Sequence, residues 1–174
     1  MELSLRHVEA GSDDYEYVAD LYYFSFPEKE REKLENIMKV SKTPLGEFYV
    51  VLDGETRVGM LYMMIHKDLV YIYYLAIDPG KRGIGYGSAV LQIVFKMFEG
   101  YRFALNSEAP DDKANNNEER LERLSFYEKN GFKDTGTKTS WQGVDYCLLT
   151  YGGKVGKYET WKMFRLAEKY SKSD

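Results

Sequence analysis

With 174 residues the chain is expected to form one domain with a real core. Its 28 acidic and 24 basic side chains give a net charge of −4, with no basic stripe that could serve a nucleic acid. A lone cysteine, Cys147, excludes an intrachain disulfide, and two distant histidines, His7 and His66, give no zinc-ligand spacing, so no metal is expected. No run is apolar enough for a leader or a membrane span, and the expectation is a cytoplasmic protein without membrane contacts.

Residues 3–8 alternate as a first strand, and Ser12 offers an N-cap to a helix carrying Tyr15, Val18, Ala19, Tyr22 and Tyr23 at helical spacing. Phe26-Pro27-Glu28 interrupts it. A second amphipathic pattern over residues 30–40, through Leu34, Ile37 and Met38, stops at Thr43-Pro44-Leu45-Gly46. Strand patterns over 47–52, 56–66 and 69–77, with Asp53-Gly54 as a hairpin turn, predict an antiparallel meander. A glycine-rich turn then leads into a helix with Val90, Leu91, Val94 and Phe98 on its apolar face, ended by Gly100. A strand over 102–107 and a polar loop over 109–117 come next. The following helix, 118–129, turns Leu121, Leu124 and Phe126 or Tyr127 inward, and 132–135 with 141–151 supply two last strands. Beyond the joint Gly152-Gly153-Lys154-Val155-Gly156, Tyr158, Trp161, Phe164 and Ala167 recur on a terminal helix that covers the core or a partner subunit.

The stretch Asp78-Pro79-Gly80-Lys81-Arg82-Gly83-Ile84-Gly85-Tyr86-Gly87-Ser88 reads as strand, anion-binding turn and helix. Alternate glycines let main-chain N–H groups converge on phosphate oxygens where a helix dipole begins, and Lys81 and Arg82 add charge. No lysine follows Gly87, which excludes a Walker loop. Val90 stands where a dinucleotide fingerprint needs a third small residue. The spacing Arg82-x-x-Gly85-x-Gly87 after Asp78-Pro79 instead resembles the acyl-CoA motif of the GNAT superfamily of N-acetyltransferases. Tyr127-Glu128-Lys129-Asn130-Gly131-Phe132 is similar to that family's helix-end signature.

The resemblance covers about residues 3–151 and implies a GNAT domain over 1–151, with 152–174 a helical extension. It implies an α/β (α+β) fold: a mixed, mostly antiparallel sheet of about seven strands flanked by helices, splayed beside the fourth strand where acyl-CoA wedges in. Leu75, Ala76 and Ile77 then face the pantetheine and thioester, and Arg82, Gly83, Gly85, Gly87 and Ser88 hold the pyrophosphate. The same glycines also read as a tight turn for close helix packing.

Acetyl transfer to an amine needs a base for an ammonium of pKa roughly 10.4, donors for charge developing on the thioester oxygen, and an acid for the leaving thiolate. Glu108, at the end of its strand, is the candidate base, or else a solvated strand-end carboxylate. A backbone N–H near Ile77 suits the oxyanion. Tyr127 occupies the family's position for the acid, or is a packed core tyrosine. Two departures stand out: Tyr71 to Tyr74 carry no acid where many relatives have their base, and Arg120 replaces a pantetheine-binding asparagine. Residues 22–31 line the acceptor's path, where aromatics with Glu28 and Glu30 form a cage for a cationic amine or simply a solvated helix start. The expected activity is transfer from acetyl-CoA to a primary amine of a small molecule or peptide. A non-catalytic acyl-CoA-binding module and a nucleotide-binding enzyme are the competing readings, and a homodimer is left open.

Overall fold

Aromatic and β-branched runs bounded by two-residue turns build the centre of the molecule, which a computed structural model describes for residues 1–173. In chain order the elements are β1 (Leu3–His7), α1 (Asp13–Ser25), α2 (Leu34–Ser41), β2 (Gly46–Asp53), β3 (Thr56–His66), β4 (Leu69–Ile77), α3 (Tyr86–Met97), β5 (Arg102–Glu108), α4 (Asn117–Lys129), β6 (Lys133–Trp141), β7 (Val144–Tyr151) and α5 (Lys157–Ser171). The sheet runs β1-β2-β3-β4-β5-β7-β6. Every pairing is antiparallel except β4 with β5.

That parallel pairing is short. Leu69, Val70 and Tyr71 match Arg102, Phe103 and Ala104, and beyond them the strands part. Just there the β3–β4 register shifts: Met63 faces Ile72 but Tyr62 faces Tyr74, so Tyr73 is the extra residue of a bulge that bends β4 away. On its far side β5 is paired along its length from Phe103 to Glu108 with β7.

One face of the sheet packs Phe48, Val50, Met60 and Tyr62 under α1, α2 and α5, which contribute Val18, Tyr22, Ile37 and Met163. The other packs Val51, Leu61, Val70 and Phe103 under α3 and α4, with Val90, Leu91, Val94 and Tyr127. The C-terminal helix is tied down at its start by Arg102, which hydrogen-bonds both carboxylate oxygens of Asp68 and of Glu159 and the carbonyl of Lys154. Further along, the Phe164 ring meets Tyr71 edge-on at 5.0 Å.

Four expectations are corrected. The second helix begins at Leu34 rather than at residue 30, because Glu28–Glu30 form a 3₁₀ turn and the backbone after it is claimed by tyrosines from other elements. The Tyr74 hydroxyl donates to the Glu30 carbonyl (2.6 Å) and accepts from the Glu32 N–H (2.8 Å), while the Tyr22 hydroxyl donates to the Glu32 carbonyl (2.7 Å). In α4 Leu121 is 49 % exposed and Arg120, at 8 %, turns inward. Trp141 ends β6 instead of opening the last strand. The turn is Gln142-Gly143, both at positive φ (48° and 81°), as a two-residue hairpin requires. In α5 the buried positions are Thr160 and Met163, whereas Tyr158 and Trp161 face solvent.

Met163→Ala leaves a cavity between α5 and the sheet and is expected to lower the unfolding free energy by about 2–5 kcal/mol, read from urea denaturation.

Candidate active site

At the end of β4 the Asp78 carboxylate accepts the Gly80 N–H (3.0 Å) and its carbonyl accepts the Lys81 N–H (2.8 Å), which turns the chain back toward the helix layer. Gly83 and Gly85 have φ of +82° and +97°, where a side chain is strained. Gly85 is the N-cap of α3 and brings no capping side chain, and the first bond into the helix is Ala89 N–H to Gly85 carbonyl. The N–H groups of Tyr86, Gly87 and Ser88 therefore lack intrahelical partners at the positive end of the helix dipole. Gly87 also fits the close-packing reading of these glycines: a Cβ there would lie 3.0 Å from the Phe126 ring, so its absence lets α3 approach α4. Ser88 Oγ accepts from Asn130 (3.1 Å) and the Tyr86 hydroxyl donates to Asp53 (2.6 Å), fixing the helix start from two sides.

The edge of β4 left free by β5 has a defined pattern. Asp78 N–H bonds the Val58 carbonyl, so in the register Gly59–Ile77, Met60–Ala76 and Leu61–Leu75 the Ala76 backbone turns to β3. Leu75 and Ile77 turn theirs into the gap. Arg82 Nε reaches the Ile77 carbonyl at 3.1 Å from that side. Of the three strand residues expected to meet a ligand with their main chain, Leu75 and Ile77 turn it into the gap and Ala76 turns it to β3.

From the glycine turn a cleft of about 1460 Å³ runs through this gap to the far side, between the Glu28–Glu30 turn, the β6–β7 hairpin and α5. Arg82, Gly83, Gly85, Gly87 and Ser88 line one end, and Tyr127 and Glu108 line the wall formed by α4 and β5. Asn106 Oδ1 and Ser107 Oγ, on that wall, are buried without partners among the described residues. Such atoms need water or a ligand.

Tyr127 is 8 % exposed. Burial pushes its hydroxyl up to about 12, with the Arg123 charge pulling the other way. Glu108, at 5 % exposed, is not a solvated strand end. Its oxygens meet Arg120 at 2.9 Å and Arg123 at 3.2 Å. Arg120 spends its other donors on Asn116 Oδ1 (2.8 Å) and the Ala109 carbonyl (3.0 Å), and so braces the β5–α4 connection. Glu30 lies beside this network. The Tyr146 hydroxyl donates to its Oε1 at 3.2 Å. Burial first, then the Glu108 charge, raises Glu30 from 4.5 to about 7.

The sequence model of the GNAT acetyltransferase domain matches residues 44–134, just over half of the chain and inclusive of β4, the glycine turn, α3, β5 and α4. The chain belongs to the GNAT acetyltransferase family. No curated protein sequence matches it. Among solved structures, a GNAT-family protein of Bacteroides thetaiotaomicron is similar in fold at 17 % identity, covering 98 % of this chain and 99 % of that one with a TM-score of 0.77. A GNAT acetyltransferase of Elizabethkingia anophelis with acetyl-CoA bound shares 17 % identity over 86 % of this chain and 97 % of that one (TM-score 0.61). Naa50 of Arabidopsis thaliana, in complex with the bisubstrate analogue CoA-Ac-MVNAL, shares 20 % over 86 % and 98 % (TM-score 0.63).

Within this GNAT sheet the glycine turn, the two strand residues, Tyr127 and Glu108 all line one cleft. The environment of Glu30 was not readable from the sequence. Residue 30 could be assigned to an aromatic–acidic stretch, but nothing local links it to Tyr146, 116 positions away. Among the described residues no helix is long and apolar enough to cross a membrane, and no cluster of three His, Cys, Asp or Glu side chains is placed to hold a metal ion.

The raised Glu30 has a consequence for stability with a definite sign. The folded chain holds a proton there that the unfolded chain releases, so the contribution is fully present below about 4.5 and is lost as pH rises through about 7. Between about pH 5 and about pH 8 the urea midpoint of the native chain is expected to fall relative to that of Glu30→Gln, whose midpoint lacks this component.

Proposed function

We propose that the chain transfers an acetyl group from acetyl-CoA to a primary amine of a small molecule or peptide by direct attack, with Tyr127 as general acid. The observation that carries this reading is the open edge of β4, where Leu75 and Ile77 turn their main chain into the gap and Arg82 reaches the Ile77 carbonyl, leading to the uncapped start of α3. An extended amide-bearing chain can pair with such an edge as an added strand. A diphosphate suits N–H groups at a helix start.

The fit to acetyl-CoA is supported by residues of this chain. Leu75 and Ile77 would hold the pantetheine, while Arg82 and the backbone around Gly83, Gly85, Gly87 and Ser88 would hold the diphosphate. Asn106 and Ser107 offer orphaned polar atoms on the opposite wall. When bound, acetyl-CoA supplies a thioester whose acyl carbon accepts a nucleophile. A main-chain N–H near Ile77 would stabilise charge developing on the acyl oxygen. Tyr127 keeps its proton at neutral pH and donates it to the departing sulfur. A free thiol has a pKa near 8.5, well below the Tyr127 value, but the burial that lifts the tyrosine also penalises a thiolate beside it and narrows that mismatch. Glu108, fixed by Arg120 and Arg123, marks the acceptor's side of the cleft.

Calorimetry with CoA, combined with thiol release from acetyl-CoA across amines, polyamines and peptides, tests the reading. Tyr127→Phe is expected to lower kcat by about 100-fold or more while leaving CoA affinity within about twofold. Unchanged turnover removes Tyr127 as the acid. Native chain that binds CoA and transfers nothing is a binding module, and failure to bind CoA ends the proposal altogether.

A further inference from the structure

We infer that Glu30, delivered by the turn between α1 and α2, is the group that receives the acceptor's ammonium and takes its proton. The inference rests on the acetyl-transfer reading of the same cleft.

Three observations converge on Glu30. Its carboxyl lines the cleft on the far side of the β4–β5 gap from the glycine turn, with Tyr127 on the same cavity wall as Glu108. It is held there through both main chain and side chain: Tyr74 from β4 binds its carbonyl and Tyr146 from β7 binds its carboxylate. Glu108, by contrast, has its oxygens engaged by Arg120 and Arg123 of α4, so they are already turned toward cations of the chain itself. The charged or titratable groups facing Glu30 are therefore Glu108, Arg123 and Tyr146, with Arg120 behind Glu108. Beyond Glu30 the cleft is walled by Phe26, Tyr62, Tyr73 and Phe164. Aromatic faces beside a carboxylate suit an ammonium joined to an apolar or aromatic arm.

The proton balance closes on these residues. The Glu30 carboxylate takes one proton from the ammonium and leaves the nitrogen with a free electron pair. That pair forms the bond to the acetyl carbon as the bond from carbon to sulfur breaks, and Tyr127 gives the departing sulfur its proton. Of the two protons the nitrogen loses, the first passes from Glu30 to water and the second makes good, through water, the one given up by Tyr127.

Two readouts test the inference, one of which needs no turnover. In carbon-13 spectra of glutamate-labelled native chain, the signal missing from Glu30→Gln is expected to titrate near neutrality, and to move to lower pH when phenethylamine is added, because a cation beside a carboxylate favours its charged form. A Glu30 signal that titrates in the ordinary carboxylate range, or one that phenethylamine leaves in place, overturns the inference. In acetyl transfer, Glu30→Gln is expected to lose about 100-fold or more in kcat and the limb of the pH profile that tracks the carboxyl titration, with CoA affinity unchanged by calorimetry, while Glu30→Asp recovers part of the rate. A Glu30→Gln profile superposed on the native one overturns the assignment while leaving acetyl transfer intact. Native chain that binds CoA yet acetylates no amine overturns both together, so the two failures are told apart.

Discussion

Everything in this structure turns on the point where β4 and β5 stop pairing. Main-chain N–H and C=O groups inside a protein need partners, and a central strand usually finds them on both sides. Here β4 is paired on both sides only up to Tyr71, and the bulge at Tyr73 turns its remaining length away from β5. The gap survives because each strand keeps its other neighbour: β4 stays on β3, and β5 stays on β7 through Glu108. Helices on both faces then cover the side chains without filling the space between the strands. The cleft is thus a consequence of topology, and any ligand that completes the free edge of β4 must present amide groups of its own.

What could be read beforehand followed the range of the interactions involved. The glycine turn is local: positive φ at Gly83 and Gly85 and the Asp78 turn are set by neighbours in sequence, and they stood out as a motif. The meander was equally legible, since alternation and turn residues are short-range signals. Even there the letters were ambiguous, for Gly87 serves the packing of Phe126 while its neighbours serve the turn. Helix phase failed where a polar residue is buried by design. In α4 the apolar pattern pointed Leu121 inward, but the core-facing position belongs to Arg120, whose charge is matched by Glu108 on a strand that periodicity cannot see. The α5 pattern failed for a related reason, with Tyr158 and Trp161 aligned on the solvent side and Met163 carrying the burial.

The polar network at the end of β5 is costly to build and so constrains its surroundings. Glu108 and Arg120 are both largely withdrawn from water, and a buried ion pair returns its desolvation cost only if the remaining donors and acceptors are met. They are met here by Asn116, the Ala109 carbonyl and Arg123. The result is a rigid connection between β5 and α4, the helix that carries Tyr127 at its end. Placing Glu30 against this network adds a second carboxyl where one is already satisfied. Burial is the larger cause of the rise in Glu30, and the nearby Glu108 charge, held in place by its arginines, adds to it.

The absence of an acid on β4 then has a physical explanation within the same framework. The strand carries tyrosines at 71, 73 and 74, and the Tyr74 hydroxyl binds the main chain of the turn between α1 and α2 on both a carbonyl and an N–H. The strand that lacks a carboxylate thereby anchors the loop that brings one. A base on a strand would be fixed by the sheet itself. A base on a loop is fixed only by the groups that clamp it, and here Tyr22, Tyr74 and Tyr146, from α1, β4 and β7, supply three hydroxyls for that purpose. On the assignment of Glu30 as base, the tyrosine-rich composition, which reads at first as ordinary packing, becomes part of how the acceptor side of the site is held in position.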